Sequence, residues 1–264
     1  MRSPYPLSSG AIVRASLEVY RRQFTVLFVT AALLGLPGAL AGLGGSPVPE
    51  SGGEILALLA VGVVEVLASV VAIVQVAAAR RGAAPTLAGG VTAGAQRLLS
   101  VLGALGLSTV WVMAVAAPMA VLAGGVWVVV PRSDDPQIVA LEASVLLLVV
   151  LVPATWMMLR YFFVVVVAAL EPGTPPLRRS AALARGAYWK LGVVGLVGWL
   201  AWMPATVLPW ADSLGGLVGD GPDTTTGMAL QIAAWLAAAL AVPFSAALTV
   251  LVYDDQRART DAAA

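Results

Sequence analysis

The chain has no cysteine and no histidine. Disulfides, thiolate nucleophiles, zinc sites of the usual ligand type and imidazole acid–base chemistry are therefore excluded. Asparagine is absent too, and a single lysine, Lys190, stands against fourteen arginines, the bias that a G+C-rich genome imposes whatever the function. Charge is scarce: 11% of residues are Asp, Glu, Lys or Arg, where soluble domains carry about 25%. What fills the sequence instead is apolar, 60% hydrophobic with a mean hydropathy of +0.93. The solvent for such a chain is a bilayer.

The chain resolves into apolar runs separated by polar punctuation. Ser8 to Gln23 alternates an apolar stripe (Val13, Leu17, Tyr20, Phe24) with a charged one (Arg14, Glu18, Arg21, Arg22), which predicts an amphipathic helix lying in the interface. Phe24 to Leu43 carries no charge, and twenty helical residues at 1.5 Å each cross a hydrocarbon layer of about 30 Å. A Gly/Pro/Ser loop, 44–54, leads to a second span, 55–79, closed by Arg80 and Arg81. Thr86 to Ser100 is a weaker amphipathic stretch with Gln96 and Arg97 before a third span, 101–130, with a kink expected near Pro118. The run 138–170 exceeds one crossing and is interrupted at Pro153 and Arg160, so it reads as one span with a bent or interfacial end. Leu191 to Trp210 and Met228 to Val252 complete six spans.

Between the fourth and fifth spans lies the stretch from Leu170 to Leu191 around which the rest is organised. Thr174 is the expected N-cap, Pro175 and Pro176 suit the first helical positions, and Arg178, Arg179, Arg185 and Lys190 make one side of a helix over 176–190 cationic. These four are candidate ligands for anionic lipid headgroups. Arg2, Arg14, Arg21, Arg22, Arg80, Arg81, Arg97, Arg257 and Arg259 fall on the same side of the membrane as this helix, whereas Arg132 alone falls opposite. By the positive-inside rule both termini are cytoplasmic. The expected fold is thus all-α, a single polytopic membrane domain over 1–264. It comprises six transmembrane helices in three parallel units, about 8–81, 86–170 and 174–259, each led by an interfacial amphipathic helix.

Two motifs mislead. Arg21-Arg22 ahead of an apolar run, with Ala39-Leu40-Ala41 after it, imitates a twin-arginine export signal, but five further spans and two comparable basic helices account for the arginines without export. Glycine-rich pieces such as 35–45 lack the Gly-Lys-Ser/Thr ending of a phosphate loop, and close helix contact explains them better.

An ionisable group within a span is expensive unless it finds a partner or water, about 2.5–3.5 kcal/mol at the bilayer centre, and so marks a functional candidate. Glu65 is the first such residue. It shares a helix face with Gly62, Ser69 and Ala72 and is expected to point into the bundle, either as a proton or cation site or as a hydrogen-bonded, uncharged carboxyl that fastens helices together. Arg160 is the second: it snorkels if its span ends near Leu159, and it needs a carboxylate, Glu65 first among them, if the span continues to Leu170. Glu142 reads as interfacial, as do several of the eight tryptophans. Asp134-Asp135 and Asp254-Asp255 fall in loops or at span ends, where solvated carboxylates are ordinary. Without histidine no serine has a base within the usual pairings, and no catalytic residue, metal ligand or cofactor site is expected.

Glu171, Arg178-Arg179-Ser180, Leu183, Arg185-Gly186, Tyr188-Trp189 and Gly192, followed by Tyr253, Asp255, Arg257 and Arg259, carry a family resemblance. With six-span hydropathy over nearly the full length, the chain resembles the membrane domain attached to some bacterial glycerophosphodiester phosphodiesterases, and the stand-alone integral membrane proteins that have that domain alone. Ala181 stands where the family often has an aromatic residue, and Asp254 and Gln256 replace its usual aromatic and leucine. No soluble catalytic barrel is expected here, so the phosphodiesterase activity does not carry over. The resemblance and the composition together imply a non-enzymatic inner-membrane protein, an accessory or scaffolding module that organises lipid or recruits a protein partner, with anionic headgroups on the cytoplasmic face and no nucleic acid. The alternative is a small transporter or channel that uses Glu65 as its coupling site.

Overall fold

The computed structural model describes residues 7–44, 51–129, 135–218 and 224–262. Arg2, Arg132, Asp134, Asp220 and Asp223 lie outside them, as does most of the loop after the first span. Nine helices and no strands occur among the described residues: α1 Ser9–Arg22, α2 Phe24–Gly44, α3 Gly52–Arg80, α4 Leu87–Val129, α5 Pro136–Arg160, α6 Val164–Leu170, α7 Pro176–Ala184, α8 Tyr188–Val218 and α9 Thr224–Ala262. Six are long and apolar enough to cross a membrane, the fourth candidate running from α5 through α6.

Local chemistry sets the boundaries. Ser8 caps α1 by accepting from Ala11 N at 3.2 Å. Ser51 begins a Ser-x-x-Glu sequence and accepts from Glu54 N at 3.3 Å to open α3. Asp135 accepts from Gln137 N at 2.8 Å with Pro136 in the first turn of α5. α3 ends in a Schellman motif: Gly82, at φ +80°, lets its own N–H reach Ala79 O and that of Ala83 reach Ala78 O, each at 3.1 Å.

Several boundaries differ from expectation. The stretch 86–100 does not form a separate helix but runs unbroken through Pro118 into one helix of 43 residues, about 64 Å at 1.5 Å per residue. Pro153 likewise sits inside α5, and the break in the fourth run falls at Tyr161–Phe163 instead. Thr174 is not a cap; Pro175 holds that position, with no side-chain hydrogen bond. The basic helix stops at Ala184 because Gly186 turns the chain at φ +76°, so Lys190 belongs to the first turn of α8.

Packing is uneven along the bundle. At the basic end of the bundle α1, α3, α6, α7, α8 and α9 enclose a dense core that includes Ile12, Val70, Val76, Phe163, Val167, Leu183, Leu191, Leu251 and Tyr253. In α3 the buried side chains run only from Ala68 to Ala77. α1 does not rest on the surface alone: it buries Ile12 and Ser16 and packs against α9, where Tyr20 meets Phe244 edge-on at 6.2 Å between centroids. α3 and α4 approach most closely at Gly90 and Gly94, spaced as Gly-x-x-x-Gly. A Cβ at Gly94 would sit 2.5 Å from Val71 Cγ2, and one at Gly90 would sit 2.6 Å from Gln75 Nε2. The approach is closer than those at Gly35 and Gly38, the glycines of 35–45 whose surroundings are described, where a Cβ would meet its nearest neighbour at 3.6 and 3.3 Å.

Candidate functional site

At the basic end, three consecutive residues of α9 reach three different elements. Successive side chains on a helix diverge by about 100°, so Tyr253, Asp254 and Asp255 fan out. Tyr253 donates its hydroxyl hydrogen to Glu171, just past α6. Asp254 pairs with Arg80 at the end of α3, 3.2 Å away. Asp255 accepts from Lys190 Nζ of α8 at 2.9 Å, from Leu7 N at 3.0 Å and from Gln256 Nε2 at 3.1 Å, and pairs with Arg259 at 3.2 Å. Lys190 Nζ also donates to Leu7 O at 2.7 Å, so that Leu7, two residues before α1, is tied to α8 through its carbonyl and to α9 through its N–H.

Glu171 gathers a second group. Arg179 Nε is 3.3 Å from it and Arg257 Nε 3.6 Å, and Asp261 bridges the same two arginines at 2.9 and 3.4 Å. Hydrogen bonding to Asp261, with the charge of Glu171 adding to it, raises the Arg179 pKa against the opposing effect of burial. Ser180 is fully buried; its hydroxyl accepts from Phe163 N at 3.1 Å and donates to Arg160 O at 3.2 Å, so it seats α7 on the break between α5 and α6.

The four headgroup candidates therefore divide. Arg178 and Arg185 are exposed and make no ion pair among the described residues, whereas Arg179 and Lys190 are half-buried and committed to carboxylates of the chain. Arg14, Arg21 and Arg81 resemble the first two, exposed and without ion pairs, and Arg22 pairs with Glu18.

Glu65 and Arg160 do not meet. Arg160 ends α5 with its guanidinium carbon 5.4 Å from the Trp156 ring centroid, and its Nε is buried without a hydrogen-bond partner. Glu65 opens onto a cavity of about 510 Å³ between α2, α3, α8 and α9, with Leu105 of α4 and Val165 of α6 completing its walls, and Gly35, Gly38, Gly62, Ser69, Trp202 and Trp235 among the lining residues. The side chain is exposed to that space, and among the described residues its carboxylate has no hydrogen bond or ion pair. The closed contact that would fasten helices is not seen: the nearest approach is to Gly38, whose Cβ, if present, would lie 3.3 Å from Glu65 Oε1. Sequence reasoning missed the cavity, because its walls come from six helices, of which, among the described residues, only α3 carries an ionisable lining residue. It also missed the inward roles of Arg179 and Lys190. Among the described residues no three carboxylates converge to hold a metal ion.

The architecture is that of an α-helical bundle with six candidate membrane spans. Comparison with protein-family models, with curated proteins and with solved structures found no match to this chain.

Proposed function

We propose that the chain is a non-enzymatic, multi-pass protein of a bacterial inner membrane, with both termini cytoplasmic, that works as an accessory module organising anionic lipid. In this reading α1, the first part of α4 and α7 lead three parallel units and lie at headgroup depth. The observation that carries it is the imbalance of charge at the basic end. Glu18, Glu171, Asp254, Asp255 and Asp261 are all paired within the chain, while Arg14, Arg21, Arg81, Arg178 and Arg185 remain exposed without ion pairs among the described residues. Each cation near an anionic surface contributes about 1 kcal/mol. The residues of the family resemblance support the reading from the other side: Glu171, Arg179, Tyr253, Asp255, Arg257 and Arg259 converge as a structural lattice and leave Arg178 and Arg185 for lipid. The test is lipid retention. Purified Arg178→Gln/Arg185→Gln protein should hold less cardiolipin and phosphatidylglycerol by mass spectrometry than the parent. Equal retention, with topology unchanged, would leave those arginines as orientation signals only.

A second reading, a small transporter or channel, is favoured by the cavity that Glu65 enters. Its test is a solute flux that Glu65→Gln abolishes in proteoliposomes.

A further inference from the structure

The cavity has one carboxylate, Glu65, and few side-chain donors among the described residues: the Gln231 amide and the Trp202 indole N–H. Among the described residues Glu65 is the only ionisable one on its walls, and no arginine or lysine lines it. The Ser69 hydroxyl donates its hydrogen to Glu65 O at 3.1 Å, which leaves its oxygen as an acceptor. The indole N–H of Trp235, which lines the cavity, is likewise spent on Ala32 O at 3.1 Å, which fixes the ring. Backbone acceptors are added by proline. Pro209 and Pro243 have no N–H, so the carbonyls of Ala205 and Ala239, four residues earlier in α8 and α9, lose their helical donors, and both residues line the cavity. The remaining walls are apolar: Val66, Leu105, Val165, Val242 and several alanines.

We infer that this cavity is a binding site for one lipophilic ammonium ion, its charged nitrogen at Glu65 and its apolar body against Trp202, Trp235 and the small-residue wall. The chemistry selects the class. A carboxylate without a cation calls for one positive charge, free acceptors call for N–H donors, aromatic faces favour a cation, and apolar walls exclude a compact hydrated ion. An anion meets no donor there apart from amide and indole N–H groups. The inference rests on the second reading above in sharing Glu65, but it concerns occupancy and requires no transport.

Three probes with one body separate the possibilities: 1-adamantylammonium, 1-adamantanol and 1-adamantanecarboxylate. Their binding is measured by equilibrium dialysis against the full chain in nanodiscs, with empty nanodiscs as the blank. The ammonium should bind saturably, at least tenfold tighter than the alcohol, and the carboxylate should not bind above the blank. Glu65→Gln should remove the preference for ammonium over alcohol, and Gly38→Val, which fills the space beside Glu65, should weaken ammonium binding at least tenfold. Should Glu65→Gln fail to fold, Glu65→Asp serves, with the preference for ammonium retained. Equal binding of ammonium and alcohol would mean an apolar hole that any hydrocarbon, a lipid chain included, can fill, and would overturn the inference; so would unchanged ammonium binding in folded Glu65→Gln. Saturable ammonium binding without flux in proteoliposomes upholds the site and removes only the transport reading. Flux of another solute that needs Glu65, with no ammonium binding, does the reverse.

Discussion

Lys190 Nζ stands 2.9 Å from Asp255 Oδ2 across the interface of α8 and α9, with the two side chains 15% and 5% exposed. The pair joins the first turn of α8 to the charged end of α9, and through Leu7 it also holds the start of α1. Removing one partner of a buried pair strands the other charge and costs about 3–5 kcal/mol, whereas replacing both by apolar groups costs far less. Asp255→Ala should therefore lower the melting temperature in detergent sharply, and Lys190→Met/Asp255→Leu should recover part of the loss. Strictly additive effects in that cycle would mean that the two side chains do not act as a pair.

Tyr253 tests the neighbouring group. Its hydroxyl serves Glu171, and a hydrogen bond to a charged group contributes about 1.5–3 kcal/mol. Tyr253→Phe should lose stability in that range while keeping the edge-on ring contact with Phe163, 6.1 Å between centroids. If Glu171→Gln already lowers stability, adding Tyr253→Phe to it should cost less than Tyr253→Phe does alone. Thermal denaturation of the four proteins decides this.

The contact of α3 with α4 gives a packing test. Gly94→Ala places a methyl where Val71 Cγ2 already stands, 2.5 Å away, and overpacking of this kind costs about 1–3 kcal/mol. Val71→Ala in the same chain should restore stability toward that of Val71→Ala alone. A harmless Gly94→Ala would show that the two helices separate freely.

Glu65 should behave in the opposite way. Its carboxylate holds nothing in place, so Glu65→Ala is expected to change thermal stability by no more than about 0.5 kcal/mol, as at sites away from any defined interaction. A large loss would bring back the reading in which the carboxyl fastens helices.

Topology can be read with an impermeant thiol reagent, since no native cysteine interferes. Ser180 is unsuitable because it is buried between α7 and the α5–α6 break; Ala83 is exposed beside Gly82 and serves better. Ser133→Cys should label on intact cells and Ala83→Cys only after permeabilisation. The converse pattern would reverse the proposed orientation.

The sequence by itself determined the all-helical class, the six apolar runs long enough to cross a membrane and their order. Apolar runs of about twenty residues and arginines gathered at one set of run ends are local properties, and a helix needs no distant partner to satisfy its backbone in lipid. It also brought the residues of the structural lattice to notice, Glu171, Arg179, Lys190, Tyr253, Asp255 and Arg257, but as a family likeness and a cationic helix. Which of them face inward was decided by tertiary structure alone. Arg178 and Arg179 are adjacent in the chain, yet Arg179 reaches Glu171 and Asp261 while Arg178 stays exposed, because the side that a helix presents depends on what packs against it. The same holds for Glu65. Whether a carboxylate within a span is clasped or left open depends on the gap among six helices from distant parts of the chain, here widened by Gly35, Gly38, Gly62 and the alanines of α9, and no local pattern in α3 encodes that distance.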